Sequence, residues 1–282
     1  MPPELGPTTS ASQLVAYTMC PRKYAFQYVY FREPAFRSIS LLLGSAVHSA
    51  TAWFFEERLG GKSPSVAAAE EILSADLMAS TVGSDVRWKD ATPDSLEADG
   101  RKLVRLYLER FGEAPVIAVE EQFQVDLVID ATGEVLGRPL RGFFDLVLKD
   151  GTVVELKTSA RGWSEHDLVR HLQIGAYVFA RNTLHGGPSV VEVHVLVKLK
   201  REPRIEVHRV ERGESATRWW LTAAGEIESA IAARHFPPKP SPLCLECEYE
   251  SGCAAWLGER AEPAVRRHLP VVRDGPDLMI AM

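Results

Sequence analysis

The sequence predicts an α/β protein: a small mixed sheet flanked by helices, preceded by a helical lobe and followed by a short cysteine-bearing segment. Three observations carry this expectation. Apolar residues recur at helical spacing up to residue 112, and β-branched alternation takes over from residue 116. Helical blocks are then interleaved with the later strands. The resulting boundaries are 1–112 for the helical region, 113–235 for the α/β core and 236–282 for the cysteine segment and tail, all in one integrated domain.

Each element follows from local signals. Residues 10–30 read as two short helices broken at Cys20-Pro21, because proline interrupts a helix from within but starts one well. Ser10 or Ser12 supplies the cap. Residues 39–59 form a helix ended by Gly60-Gly61. Two more are expected near 64–80 and 95–111, the second capped by Asp94 or Ser95 and stopped by Gly112. Three consecutive strands follow at 116–129, 135–149 and 152–158, joined by Ala131-Thr132-Gly133 and by the Asp150-Gly151 turn. A helix over 165–184 is stopped by Gly186. Strands at 189–199 and 204–210 and a helix over 214–234 complete the core, and the tail after Gly275 reads as loose.

The 282 residues are 46% apolar and 25% charged, which suits a packed core. There is no apolar run of membrane-spanning length, and the opening MPPELGPTTSASQ lacks the basic and apolar regions of a signal peptide. A cytoplasmic protein without membrane contact is expected. The net charge of −6 argues against a nucleic-acid binder that uses its whole surface. Basic charge is local: Arg22, Lys23, Arg32 and Arg37 outnumber Glu33 over 18–37. Lys198, Lys200, Arg201, Arg204, Arg209, Arg212 and Arg218 likewise outnumber four glutamates over 194–218. Arg22, Lys23, Lys198, Lys200, Arg201 and Arg204 are the candidate phosphate contacts.

Cys20 stands alone, and Cys244, Cys247 and Cys253 form a C-x2-C-x5-C cluster beside four prolines. Three thiols so close together cannot all pair as disulfides without strain, and a reducing compartment favours metal over disulfide. Four cysteines suit zinc or an iron–sulfur cluster, and spacing alone does not choose between them. Such a centre would staple the C-terminal segment to the start of the chain.

The central run G-F-F-D-L-V-L-K-D-G-T-V-V-E-L-K-T carries Asp145, Glu155 and Lys157. Glu155 and Lys157 are two apart and share a strand face. A hairpin turned at 150–151 sets Asp145 roughly opposite Leu156. Carboxylates and an ammonium among valines and leucines are costly to bury unless they are paired or hold a metal. Two carboxylates can hold a divalent cation, which activates water and neutralises a phosphodiester, and Lys157 can stabilise developing negative charge. Gly61-Lys62-Ser63 is a false phosphate-loop signal, because Glu56 stands where the first glycine is needed and a helix precedes it.

D…(D/E)-x-K across a hairpin, followed by Gln173-x3-Tyr177 on a helix, resembles the PD-(D/E)XK nuclease superfamily, in particular its RecB-like branch. Gly44-x3-His48 resembles that branch's G-x3-H. The opening S-A-S-Q-L-V-A-Y-T-M-C-P-R-K-Y and the four-cysteine pattern resemble its iron–sulfur members, the AddB-type helicase–nuclease subunits and the CRISPR-adaptation nucleases. The resemblance spans about residues 10–257. It implies a PD-(D/E)XK core in a Mg2+- or Mn2+-dependent DNA exonuclease acting on single strands or free ends. Metal ligands would be His48, Asp145, Glu155 and the Leu156 carbonyl, with Lys157, Gln173 and Tyr177 in catalytic roles. Glu120 or Glu121 would add a carboxylate. Cys20, Cys244, Cys247 and Cys253 would hold a [4Fe–4S] cluster, with Zn2+ as the alternative. A helicase or an integrase is the implied protein partner, and the rival readings are a CRISPR-adaptation spacer-processing nuclease working with an integrase and a non-catalytic metal-stapled DNA-binding subunit.

Overall fold

The computed structural model describes residues 3–129, 132–186, 189–199 and 202–257. Ser10 opens α1 (Ala11–Met19) by accepting the Gln13 amide at 3.2 Å. Pro21 starts α2 (Pro21–Tyr24), which runs on into a π-helical turn at Ala25–Val29. The strand β1 (Arg37–Ser38) leads into the long α3 (Ile39–Leu59), followed by α4 (Val66–Thr81). Next, β2 (Val86–Arg87) pairs in parallel with β1 and precedes α5 (Pro93–Phe111). The cap of α5 is Thr92 rather than Asp94 or Ser95. Thr92 Oγ1 accepts the Ser95 amide at 3.2 Å, and Ser95 Oγ accepts the Thr92 amide at 2.9 Å. Pro93 thereby takes the first helical position, where its missing N–H costs nothing.

The alternating region gives β3 (Val116–Val125), β4 (Val128–Ile129), β5 (Glu134–Val135), β6 (Leu140–Leu148) and β7 (Val153–Ser159). The first two expected strands are therefore each interrupted, and β4 and β5 form a small hairpin of their own. Gly137 explains part of this, since a side chain there would meet Glu228 Cβ at 2.6 Å, and Pro139 cannot donate to a ladder. Of the expected connection, Gly133 adopts φ +68°, and Ala131 lies outside the described residues.

The helix expected over 165–184 arrives as α6 (Glu165–Val169) and α7 (Leu172–His185). Arg212 makes the break tolerable by donating to the Leu168 carbonyl at 2.9 Å and the His171 carbonyl at 3.2 Å. β8 (Val191–Val197), β9 (Arg204–Val210) and α8 (Glu214–Ala232) follow. A 3-10 turn at Pro242–Glu246 then leads to α9 (Glu250–Leu257). The expected tail after Gly275 lies outside the described residues.

The main sheet has the order β3-β6-β7-β8-β9, with β7 and β8 parallel and the other neighbours antiparallel. The helices α6 and α7 make the crossover that a parallel pair requires. On one face, Leu14, Tyr17, Val178 and Trp220 pack over Val193 and Val195. On the other, Val47, Phe54, Leu73 and Tyr107 pack over Val154 and Leu156. The sheet is thus the middle of three layers. Among the described residues no helix is long and apolar enough to cross a membrane.

Gly175 fixes the spacing of α7 and α8. A side-chain carbon there would lie 2.3 Å from Trp220 and 2.6 Å from Arg212. Gly175→Ala is therefore expected to destabilise by about 1–3 kcal/mol despite alanine's better helix propensity. A lowered denaturant midpoint with unchanged slope would show it.

Candidate active site

β6 and β7 share ladder pairing only at Leu146–Val154 and Val147–Val153. Beyond those rungs β6 stays with β3, β7 stays with β8, and the sheet forks. This register carries Asp145 to the level of Glu155, one residue short of the expected pairing with Leu156. Asp145 nevertheless reaches Leu156 through its side chain: the Leu156 amide donates to Asp145 Oδ2 at 2.7 Å. A carboxylate thus takes the place of a ladder carbonyl at the first free amide of β7.

β3 is irregular at the same level. Glu120 lies between the Val119–Leu146 and Glu121–Phe144 pairs, hence opposite Asp145, and has φ +47°. That left-handed conformation is uncommon outside glycine and is held here by the flanking ladder. The kink resets which side chains face which layer. Phe144 packs with α7 while Leu146, two residues on, packs with the α3–α5 layer.

His48 reaches the fork from α3. Gly44, one turn earlier, lets the helix come close to β7, since a side chain there would meet Thr158 Oγ1 at 3.2 Å. His48 Nε2 lies 3.0 Å from the Leu156 carbonyl, which can only accept, so Nε2 carries the hydrogen. Nδ1 then faces Asp145 Oδ2 at 3.5 Å. One ligand atom each from His48, Glu120 and Asp145 lie within 4.8 Å of one another, a spacing that suits a shared cation.

Glu155 is the deepest of these groups, its side chain 1% exposed. Its Oε1 accepts from Lys157 Nζ and, at 3.0 Å, from Gln173 Nε2, which also donates to Tyr177 Oη at 2.9 Å. Its Oε2 is buried without a partner. Burial and then Asp145 raise its pKa to about 7, against the pull of Lys157. Burial also lifts Tyr177, with Glu155 adding to the rise. Burial lowers His48, but Asp145 and then Glu155 more than offset it and leave it raised. Asp145 itself is lowered, because His48, the Leu156 amide and Lys157 outweigh its desolvation.

The fork thus gathers Asp145, Glu155, Lys157, His48, the Leu156 carbonyl, Gln173 and Tyr177. It differs from the expected ligand set in three ways: the Leu156 carbonyl is engaged by His48, Glu155 gives no atom to the group of possible ligands, and Glu120, not Glu121, joins Asp145 and His48 there. The sequence signal for Glu120 was only the Glu-Glu pair at a strand start.

A second cluster lies at the junction of the chain ends. Cys20, Cys244, Cys247 and Cys253 line one cavity of about 260 Å3, together with Arg22 and Lys23. All four are free thiols. Burial raises Cys247 and Cys253, and the neighbouring cysteines raise Cys253 further. Four soft donors around one cavity, two of them held as neutral thiols by burial and mutual repulsion, are a set that metal binding would relieve. Lys23 pairs with Glu248 at 2.8 Å, and the Ala35 amide donates to the Glu248 carbonyl at 3.0 Å.

The expected phosphate contacts are not gathered in one place. Arg22 and Lys23 belong to the cysteine cavity. Lys198 pairs with Asp99 at 3.2 Å and Arg204 with Glu206 at 2.7 Å, while Lys200 and Arg201 lie outside the described residues.

Residues 8–254 match the sequence profile of the PD-(D/E)XK nuclease superfamily. No curated protein matches the sequence. Among solved structures, an exonuclease candidate from Eubacterium rectale is similar in fold with a TM-score of 0.55 at 15% identity, over 86% of this chain and 88% of that one. A protein designated SSO0001 has a TM-score of 0.36 at 13% identity, over 79% and 88% of the two chains, a likeness too slight to bear on the fold.

The buried Glu155 carboxyl gives a signed prediction for the metal-free protein. Its folded pKa exceeds the unfolded value, so its favourable contribution is full below about pH 4.5 and is lost as pH rises through about 7. Glu155→Gln should therefore raise the melting temperature in EDTA more at pH 8 than at pH 5. Equal shifts at both pH values would show that its charge is compensated.

Proposed function

The chain belongs to the PD-(D/E)XK nuclease superfamily, and we propose that it is a divalent-metal-dependent deoxyribonuclease cutting from strand ends, of the RecB-like, iron–sulfur type. The observation that carries this reading is the buried, unpartnered Oε2 of Glu155 beside the Asp145–Glu120–His48 group. A structural ion-pair cluster would leave no carboxylate oxygen orphaned at the centre of a sheet. A hydrolytic site needs one.

His48 Nδ1, Asp145 and Glu120 would hold Mg2+ or Mn2+, with Glu155 as the further carboxylate that the family pattern implies. A divalent cation there supplies Lewis acidity, which activates water and offsets phosphodiester charge. The protein's own groups do the rest. Lys157 brings a cation to the developing negative charge of the phosphate. Gln173 holds Glu155 Oε1 and Tyr177 Oη together, so the carboxylate cannot rotate away from the fork. His48 and then the Leu156 amide favour the ionised form of Asp145.

For the cysteines the proposed occupant is a [4Fe–4S] cluster with a structural role, supported by the shared cavity and the four-thiol donor set. Zn2+ is the alternative occupant that elemental analysis separates from it. Protein purified without oxygen should absorb near about 400 nm, and Cys247→Ser should lose that band and lower the melting temperature. Stoichiometric zinc in colourless protein would overturn the cluster assignment.

Asp145→Asn should lower cleavage of end-labelled DNA at least about a hundredfold, equivalent to roughly 3 kcal/mol of lost transition-state stabilisation, with the fold intact. Lys157→Ala should also abolish cleavage while DNA affinity stays close to wild type, because other phosphate contacts supply most of the binding. Full cleavage by Asp145→Asn would sink the nuclease reading at this site.

A further inference from the structure

The cavity shared by the four cysteines is bordered by charge as well as by sulfur. Arg22, Lys23, Lys239 and Glu250 all line it. Lys23 is neutralised by Glu248 at 2.8 Å, and Lys239 is exposed and donates to the Thr18 carbonyl at 2.9 Å. Glu250 is exposed as well. Arg22 differs from these three, because it is only 7% exposed. It leaves α2 just after Cys20, and its guanidinium lies 6.0 Å from the centre of the Phe26 ring.

A buried cation is costly unless an anion answers it. The anion on offer is the cysteine set itself. Four thiolates around Zn2+, or around a cubane of charge 2+, leave two negative charges over. Arg22 already acts on one of these sulfurs: it lowers the Cys253 thiol, against burial and the other cysteines, which raise it. Backbone N–H groups are the other means of offsetting charge on a ligating sulfur. Here the amides of Cys20, Cys244, Cys247 and Cys253 are spent on the carbonyls of Ala16, Ser241, Cys244 and Tyr249. The ligands' own amides therefore do not serve their sulfurs, and a side-chain cation can take that part.

We propose that Arg22 is the counter-cation of the four-cysteine centre. It offsets the negative charge of the metal–thiolate group, which helps the site keep its metal and, in a cluster, holds the reduction potential up. The proposal rests on the metal-centre reading of the cysteines and, for the potential, on the cluster. Taking up one electron from an electrode changes the cluster with its thiolates from two negative charges to three. A neighbouring positive charge favours the reduced form, so its removal lowers the potential. This part also replaces the phosphate contact expected of Arg22 from the sequence.

The test uses the full chain purified without oxygen. The potential is read by spectroelectrochemical titration, and metal retention is read as the rate of metal loss to excess EDTA. Arg22→Gln is expected to lower the potential by about 59 mV, a tenfold shift for one electron, and to speed metal loss about tenfold. Arg22→Met keeps an apolar stem over Phe26 and serves as a second neutral variant with the same expected shifts. Arg22→Lys keeps the charge and should recover most of both. A packing role alone would lower the melting temperature in all three variants and leave the potential in place, which would overturn the proposal. Binding of a fluorescein-labelled oligonucleotide over a salt series reads the rival role. An unchanged slope of log affinity against log salt is expected, and a slope reduced by about 0.7 would put Arg22 on a phosphate and overturn the proposal. Colourless zinc protein that loses its metal faster in both neutral variants sinks the cluster reading alone. Brown protein whose potential and metal retention ignore both neutral variants sinks the assignment of Arg22 alone, and protein that holds neither metal sinks both.

Discussion

The site depends on one hydrogen bond, from the Leu156 amide to the Asp145 carboxylate. A ladder that continued past Leu146–Val154 would spend that amide on a carbonyl and bring β6 and β7 to normal sheet spacing. Ending the ladder there opens a fork in the middle of a five-stranded sheet, where backbone groups would ordinarily be left unpaired. The carboxylate closes the first of them. The Leu156 carbonyl is closed in turn by His48 from α3, and the Thr9 segment pairs with β6 further along. Each of these loose edges of the fork is therefore met by a side chain or a backbone segment from elsewhere in the chain.

Glu155 shows what this arrangement costs. It is among the most deeply buried acids of the described residues, its pKa is driven up, and one oxygen has no partner. The surrounding sheet absorbs the penalty through the valines and leucines of β7 and β8, which pack both layers against it. Glu120, with its left-handed backbone, is a second local penalty at the same level. Two unfavourable features meeting at one point of an otherwise regular sheet are the signature of a site kept for function at the expense of stability.

Much of this was legible in the sequence. Asp150-Gly151 is a strong turn signal, so the hairpin that brings Asp145 to Glu155 and Lys157 could be read locally. The cysteine spacing speaks for a shared centre whatever the fold. The errors have long-range or conformational causes. The break between α6 and α7 depends on Arg212, some forty residues away, which answers the freed carbonyls. The choice between Glu120 and Glu121 could not be made by alternation, because the positive φ at Glu120 resets the phase on which alternation rests. The Thr92 cap was missed although Thr-Pro followed by a serine at the third helical position is a readable start signal. The one-residue error in register was set by the backbone ladder, while the contact it anticipated is made by a side chain.

The seam between the two ends of the chain has a consequence for how the protein is made. The Tyr17 hydroxyl donates to the His235 carbonyl 218 positions away, and Lys23 meets Glu248 across 225. These contacts, and the cavity lined by Cys20 and Cys253, cannot form on the ribosome until nearly the whole described chain has emerged. The N-terminal helices must therefore wait with Tyr17, Tyr24 and Phe26 lacking their aromatic partners Phe236 and Tyr249. Closing so long a loop is also the slow class of folding event. Truncation anywhere in the last turns of the fold would thus leave a sticky N-terminus as well as an incomplete cysteine set, and newly made chains would need shelter until synthesis ends.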